Sequence, residues 1–128
     1  MILGIGTDIM EVERVRQALE KNPNLREDIF TPHEISYCES KVTKYQHYTA
    51  RFAAKEALMK ALGAGLSAGL RFSHIEIRNN ELGKPSIILL EKAKEYANVF
   101  GVSKILVSLA HIKSYATAMV VIEGNNEG

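Results

Sequence analysis

Two carboxylates of the sequence stand where chemistry is plausible on residue type alone. Asp8 falls in residues 2–10, where Leu3, Ile5, Thr7 and Ile9 alternate with Ile2, Gly4, Gly6, Asp8 and Met10 in the period of a strand. Aspartate is a poor strand residue and is seldom buried without a partner. Gly4 and Gly6 clear its face of side chains, which suits close approach of a ligand or of another backbone. Glu56 falls in Arg51-Phe52-Ala53-Ala54-Lys55-Glu56-Ala57, an Ala- and Leu-rich helical stretch that Gly63 stops. Residues 41–60 hold five Lys or Arg and one acid, a local charge of +4 in a chain of net charge +1, which points to an anionic ligand. Two oxygen ligands plus waters suit Mg²⁺, with substrate phosphates completing its shell. Arg51, Lys55 and Lys60 could neutralise those phosphates. Two other uses compete. Glu56 and Lys60 are four residues apart and could form a solvated ion pair. Two carboxylates could also form a hydrolytic acid/base pair, though neighbouring cations disfavour a carboxyl that must hold its proton.

The positioning elements follow from the patterns around these residues. Residues 11–20 read as a helix with Val12, Val15 and Leu19 inward, ended by Asn22-Pro23-Asn24. Residues 25–30 suit a helical turn. Thr31-Pro32-His33-Glu34 is a capping box with Pro at the first helical position, opening a helix to about residue 40. A long helix covers residues 46–62, with Tyr48, Phe52, Met59 and Leu62 on its buried stripe. Residues 63–69 form a glycine-rich loop without the Gly-Lys-Ser/Thr ending of a phosphate-cradling P-loop. Residues 72–78 and 85–90 pair as a hairpin, residues 91–100 are helical, and residues 104–110 and 115–123 are strands. Strands at both ends and a hairpin between helices make this an α+β fold, mostly antiparallel sheet packed against helices in a single lobe. Residues 1–124 read as one domain and 125–128 as a polar, mobile tail.

Composition narrows the function classes. A net charge of +1 makes no case for nucleic acid, and no apolar run approaches the roughly 20 residues of a membrane span. The single cysteine, Cys38, excludes an internal disulfide and reads as a packing or surface residue. With no signal-peptide pattern at the start, the expected location is cytoplasmic. His111, at the end of a core strand, is either a structural histidine or a phosphate contact.

Four stretches together carry a resemblance: Gly4-Ile5-Gly6-Thr7-Asp8-Ile9, Arg51-Phe52-Ala53-Ala54-Lys55-Glu56-Ala57 with Lys60-Ala61-Leu62-Gly63, Gly83-Lys84-Pro85, and Ser108-Leu109-Ala110-His111. In order and spacing the sequence resembles the holo-acyl-carrier-protein synthases, the small 4′-phosphopantetheinyl transferases. The resemblance implies transfer of 4′-phosphopantetheine from coenzyme A to a serine of apo acyl carrier protein, with release of adenosine 3′,5′-bisphosphate. It implies Asp8 and Glu56 as Mg²⁺ ligands and Lys60 as a phosphate contact, with Lys55 and Arg51 assisting. His111 would bind at the adenosine 3′-phosphate and Pro85 would line the adenine site. A water on the metal or Glu56 itself would take the serine proton. Larger members carry a further acid where this chain has Met10, so two protein carboxylates are expected. Ala110 and Ile112 replace hydroxyl residues usual beside the histidine. The resemblance also implies a homotrimer with active sites at subunit interfaces, a role for which the glycine-cleared face is suited. Arg14 and Arg16, extended by Lys21 and Arg26, would dock the acidic carrier protein. A non-catalytic module that binds coenzyme A or the carrier protein is the alternative.

Overall fold

The computed structural model describes residues 1–125. Five strands and five helices follow one another as β1 (Ile2–Glu11), α1 (Val12–Lys21), α2 (Leu25–Ile29), α3 (Pro32–Glu39), α4 (Lys44–Leu62), β2 (Ile75–Asn79), β3 (Pro85–Leu89), α5 (Glu91–Phe100), β4 (Val102–His111) and β5 (Tyr115–Gly124). The order matches the expectation from sequence, with α4 starting two residues earlier and two short 3₁₀ turns before β2. The tail expected at 125–128 lies, from 126 on, outside the described residues. Asn125 itself is tied by its backbone N–H to the Gly101 carbonyl at 3.0 Å.

β1, β5 and β4 form an antiparallel sheet in that order, so β1 and β4 are its two edges. Asp8 pairs with Ala118, and Ala118 with Leu109. The β2–β3 hairpin is a separate two-stranded sheet. The sheet packs on α4, whose Ala53, Ala54, Ala57, Leu58, Ala61 and Leu62 belong to the main apolar core. A second cluster joins α1 to α3 and α4 through Val15, Leu19, Phe30, Cys38 and Tyr48. Because the sheet takes one side of α4 and the other helices take the rest, the helix is buried nearly all round instead of along one stripe.

The glycines of β1 find their reason here. A Cβ on Gly4 would overlap the Ala61 carbonyl oxygen, and one on Gly6 the Ala57 carbonyl oxygen. Both glycines therefore exist to bring β1 against the α4 backbone. This corrects the suggestion that the cleared face serves a subunit interface, because α4 fills it. The opposite face of the sheet is open, with Ile5, Ile9, Met119 and Leu106 exposed.

The chief departure from expectation is Lys55. Its ammonium is fully buried and bonds to Glu34 Oε1 at 2.6 Å, Ile29 O at 2.7 Å and Phe72 O at 3.0 Å. Glu34 is equally buried and also accepts from the Thr31 and Ile77 backbone N–H groups. The capping box of α3 is thus one part of a network that ties α2, α3, α4 and β2 together. All three ammonium protons are engaged, so Lys55 has none to give a phosphate, and its expected phosphate role is withdrawn. Cys38 is buried too, and burial pushes its thiol up to about 12, which leaves it an inert packing residue.

Replacing Lys55 by Met should leave Glu34 buried and uncompensated, lowering stability by about 3–5 kcal/mol. Urea titration of Lys55→Met, Glu34→Gln and the double variant should show the double variant losing less than the sum of the two.

Candidate functional site

Glu56 follows from the packing of Ala57. Ala57 meets Gly6 at the α4–β1 contact, Asp8 lies two residues beyond Gly6 on the same strand face, and Glu56 adjoins Ala57. The carboxylates are thereby brought to the same flank, at the β1 edge. Burial raises the pKa of Glu56, and the charge of Asp8 raises it further. The two acids therefore feel one another directly.

Lys60, one turn beyond Glu56, reaches into the same place. Its Nζ donates to Asp8 Oδ1 at 2.8 Å and to the Thr7 carbonyl at 3.0 Å. The hydrogen bond to Asp8 raises its pKa, with Asp8 and Glu56 adding electrostatic support. Lys60 is thus the counter-ion of Asp8, not of Glu56 as spacing alone suggests. Asp8 Oδ2 remains buried without a hydrogen-bond partner, although buried carboxylate oxygens are normally satisfied. An unpartnered buried oxygen beside a second carboxylate fits a hard divalent cation such as Mg²⁺. Among the described residues, no third acid, histidine or cysteine completes a metal-binding group with them. An open recess of 460 Å³ runs from Glu56 and Lys60 along Met59, Gly63, Gly65 and Phe72, so the glycine-rich loop does border the site.

The other expected binding residues gather elsewhere. Arg51 is buried, with Nη2 donating to Asn79 Oδ1 and its guanidinium lying over the Tyr37 ring. Asn79 pairs across the hairpin with Pro85, which places Pro85 on the Arg51 side. His111, at the end of β4, meets His47 edge to face with ring centroids 5.5 Å apart. His47 was not among the residues singled out from sequence. Its spacing of four before Arg51, which puts both on one helix face, was the available signal.

The two groups lie on opposite flanks of α4. Nine residues separate His47 from Glu56, which on an α-helix is about 14 Å along the axis and about half a turn round it. Asp8, Glu56 and Lys60 sit at the β1 edge, while Arg51, His47 and His111 sit at the β4 edge.

On α1, the two expected docking arginines differ. Arg16 is held by Glu13 and Glu20, and those acids raise its pKa. Its charge is already met within the helix, so of the two Arg14 is the more open to an outside partner. Arg26 is likewise engaged, with Glu39 at 3.5 Å and Tyr45. Arg14 is 83% exposed, with only a 3.6 Å approach to Glu11. It lines, with Met10, Val15, Leu25 and Phe52, a largely apolar cavity of 420 Å³.

A pH dependence follows from Glu56. Its folded pKa lies above the unfolded value, so its contribution to stability is complete below about pH 4.5 and is lost as pH rises through the folded pKa. In chelator at pH 7, Glu56→Gln should therefore melt above the unmodified protein, the gap closing toward pH 4. Adding Mg²⁺ at pH 7 should raise the melting point of the unmodified protein and leave Glu56→Gln unmoved.

Comparison with known proteins identifies the family. The sequence pattern of the 4′-phosphopantetheinyl transferase superfamily matches residues 4–120. The holo-[acyl-carrier-protein] synthase of Ruminiclostridium cellulolyticum is 50% identical over 120 residues, covering 92% of this chain and 90% of that protein. The crystal structure of the Plasmodium yoelii holo-ACP-synthase superposes with a TM-score of 0.86 at 36% identity, covering 98% of both chains. The Helicobacter pylori holo-[acyl-carrier-protein] synthase, solved in complex with coenzyme A, gives 0.80 at 30% identity, covering 93% of this chain and 99% of that one. With residues 4–120 matched by the family pattern and a relative half identical over nearly its whole length, the chain belongs to the 4′-phosphopantetheinyl transferase superfamily.

Proposed function

We infer that this chain is a holo-[acyl-carrier-protein] synthase, which transfers 4′-phosphopantetheine from coenzyme A to a serine of apo acyl carrier protein. The observation that carries the reading is the convergence of Asp8 and Glu56, with Lys60 bonded to Asp8, beside an open recess. A module that merely binds needs no such costly pair. In the reaction the serine hydroxyl oxygen forms a bond to the β-phosphorus of coenzyme A. The bond from that phosphorus to the bridging oxygen breaks, and adenosine 3′,5′-bisphosphate leaves while the serine proton passes to solvent. Such a transfer asks mainly for positioning and charge neutralisation.

Asp8 and Glu56 are the residues that would hold Mg²⁺, which when bound supplies positive charge to the pyrophosphate and leaving group. Lys60, bonded to Asp8, would face a phosphate held at the same place. Arg51 and His111 serve the adenosine 3′-phosphate, and Pro85 flanks them on the hairpin.

The opposed flanks of α4 bear on assembly. A coenzyme A whose pyrophosphate rests at Asp8 and Glu56 would have to wrap half-way round a buried helix to reach His111 of the same chain. The His111 of a second copy is the simpler partner. The exposed apolar sheet face around Ile5, Ile9 and Met119 supports contact between copies, and the reading is a homotrimer with shared sites. Arg14, an exposed cation only loosely paired with Glu11 over an apolar recess, suits an acidic carrier protein. Among the described residues no helix is long and apolar enough to cross a membrane, and a cytoplasmic location agrees with the substrates.

Incubation with apo acyl carrier protein, coenzyme A and Mg²⁺ should add one phosphopantetheine mass to the carrier by mass spectrometry, and chelator should prevent it. Asp8→Ala and Glu56→Gln should slow transfer about a hundredfold or more; full activity in either variant with Mg²⁺ present would refute the metal assignment. Arg14→Glu should raise KM for the carrier several-fold and leave KM for coenzyme A alone. An equal rise in both would remove Arg14 from docking.

A further inference from the structure

The β4 flank holds a concentration of positive charge that packing does not explain. His47 of α4 lies between His111 of β4, at 5.5 Å between ring centroids, and Tyr37 of α3, at 5.7 Å. The guanidinium of Arg51 stands 4.1 Å from the centroid of that Tyr37 ring, and the Lys41 ammonium 4.8 Å. The groups facing His47 are therefore Tyr37 from α3, Lys41 from the α3–α4 connection, Arg51 from α4 itself and His111 from β4. The hairpin adds only the neutral Asn79, which holds Arg51. None of Lys41, His47, Arg51 and His111 has a carboxylate within ion-pair distance among the described residues; the ion pairs of the protein all use other side chains. Arg51 Nε is also buried without a hydrogen-bond partner. A bound anion would offset the neighbouring charges of Lys41 and Arg51 and give the unused Arg51 donor a partner.

We propose that His47 is a second imidazole contact, beside His111, for the 3′-phosphomonoester of coenzyme A, and that it makes the preference for coenzyme A over 3′-dephospho-coenzyme A depend on pH. The proposal rests on the transferase reading above. Without ligand, burial and then the charges of Arg51, His111 and Lys41 hold the His47 pKa below its ordinary value. A dianionic phosphate against the ring favours the protonated form instead. Between the free and bound pKa values, binding must take up a proton, so affinity falls as pH rises through that window. The phosphomonoester itself titrates at roughly pH 6, so the effect is read above that.

Isothermal calorimetry with Mg²⁺, at pH 6.5 and pH 8.5 in buffers of different ionisation heat, tests this. Each unit by which the ligand raises the His47 pKa is tenfold in affinity, so the coenzyme A to dephospho-coenzyme A affinity ratio should be about tenfold larger at the lower pH. Coenzyme A alone should bring net proton uptake. His47→Gln should lose about tenfold in coenzyme A affinity at pH 6.5, flatten the ratio with pH and leave dephospho-coenzyme A binding as it was. A ratio unchanged by His47→Gln, in a variant that melts like the unmodified protein, would overturn the proposal. NMR titration of the His47 ring in the unmodified protein needs no variant. Its pKa should rise with coenzyme A and not with dephospho-coenzyme A, and an unmoved pKa refutes the contact. Normal transfer with either negative result sinks this inference alone, whereas an unmodified protein that neither binds coenzyme A nor modifies the carrier sinks the transferase reading with it.

Discussion

The contact of β1 with α4 sets the rest of the structure. Two missing side chains, at Gly4 and Gly6, let a strand lie directly against the carbonyls of Ala57 and Ala61. At this separation the neighbouring positions on each element are fixed with little freedom. Asp8 is the next inward residue after Gly6, and Glu56 is the residue beside Ala57. Two acids that would repel one another in solution are brought together by apolar packing that neither provides. The alanines of α4 serve the same end: larger residues at Ala57 or Ala61 would push the strand away and separate the carboxylates.

The neighbouring Lys55 and Glu56 show how the helix divides its work. Consecutive residues on a helix point about 100° apart, so one turns toward the site and the other into the protein. Lys55 locks into Glu34 and two carbonyls, and that anchor fixes the rotation of α4 about its own axis. A buried pair is weak evidence for stability, and some such pairs instead specify a single arrangement. Here the arrangement specified is the one that points Glu56 at Asp8.

Much of this was legible in sequence because it is local. The capping box at Thr31, the stop at Gly63, the alternation in β1 and the order of the four motifs are all short-range patterns, and each appears in the fold. Which of the basic residues are free was not legible. Lys55, Arg16 and Lys60 look alike as charges, yet one is buried, one is neutralised within its helix and one is paired across to Asp8. Those fates depend on partners from 3 to 52 residues away, and only the shortest spacing is visible beforehand. His47 was overlooked for the same reason: its neighbour His111 arrives from another edge of the fold.

Partition of the functional groups between the two flanks of α4 has a further consequence. The carboxylate flank concentrates negative charge and the β4 flank positive charge, on either side of one buried helix. A ligand carrying separated phosphates cannot satisfy both flanks of one molecule without passing through the core or around it. On the proposed reading, each chain would hold two ends of two different ligands sooner than both ends of one. The open apolar face of the sheet lies between those flanks, bounded by β1 on one edge and β4 on the other. On the proposed reading, a second copy seated on that face is what would let one ligand reach the carboxylate flank of one molecule and the β4 flank of another.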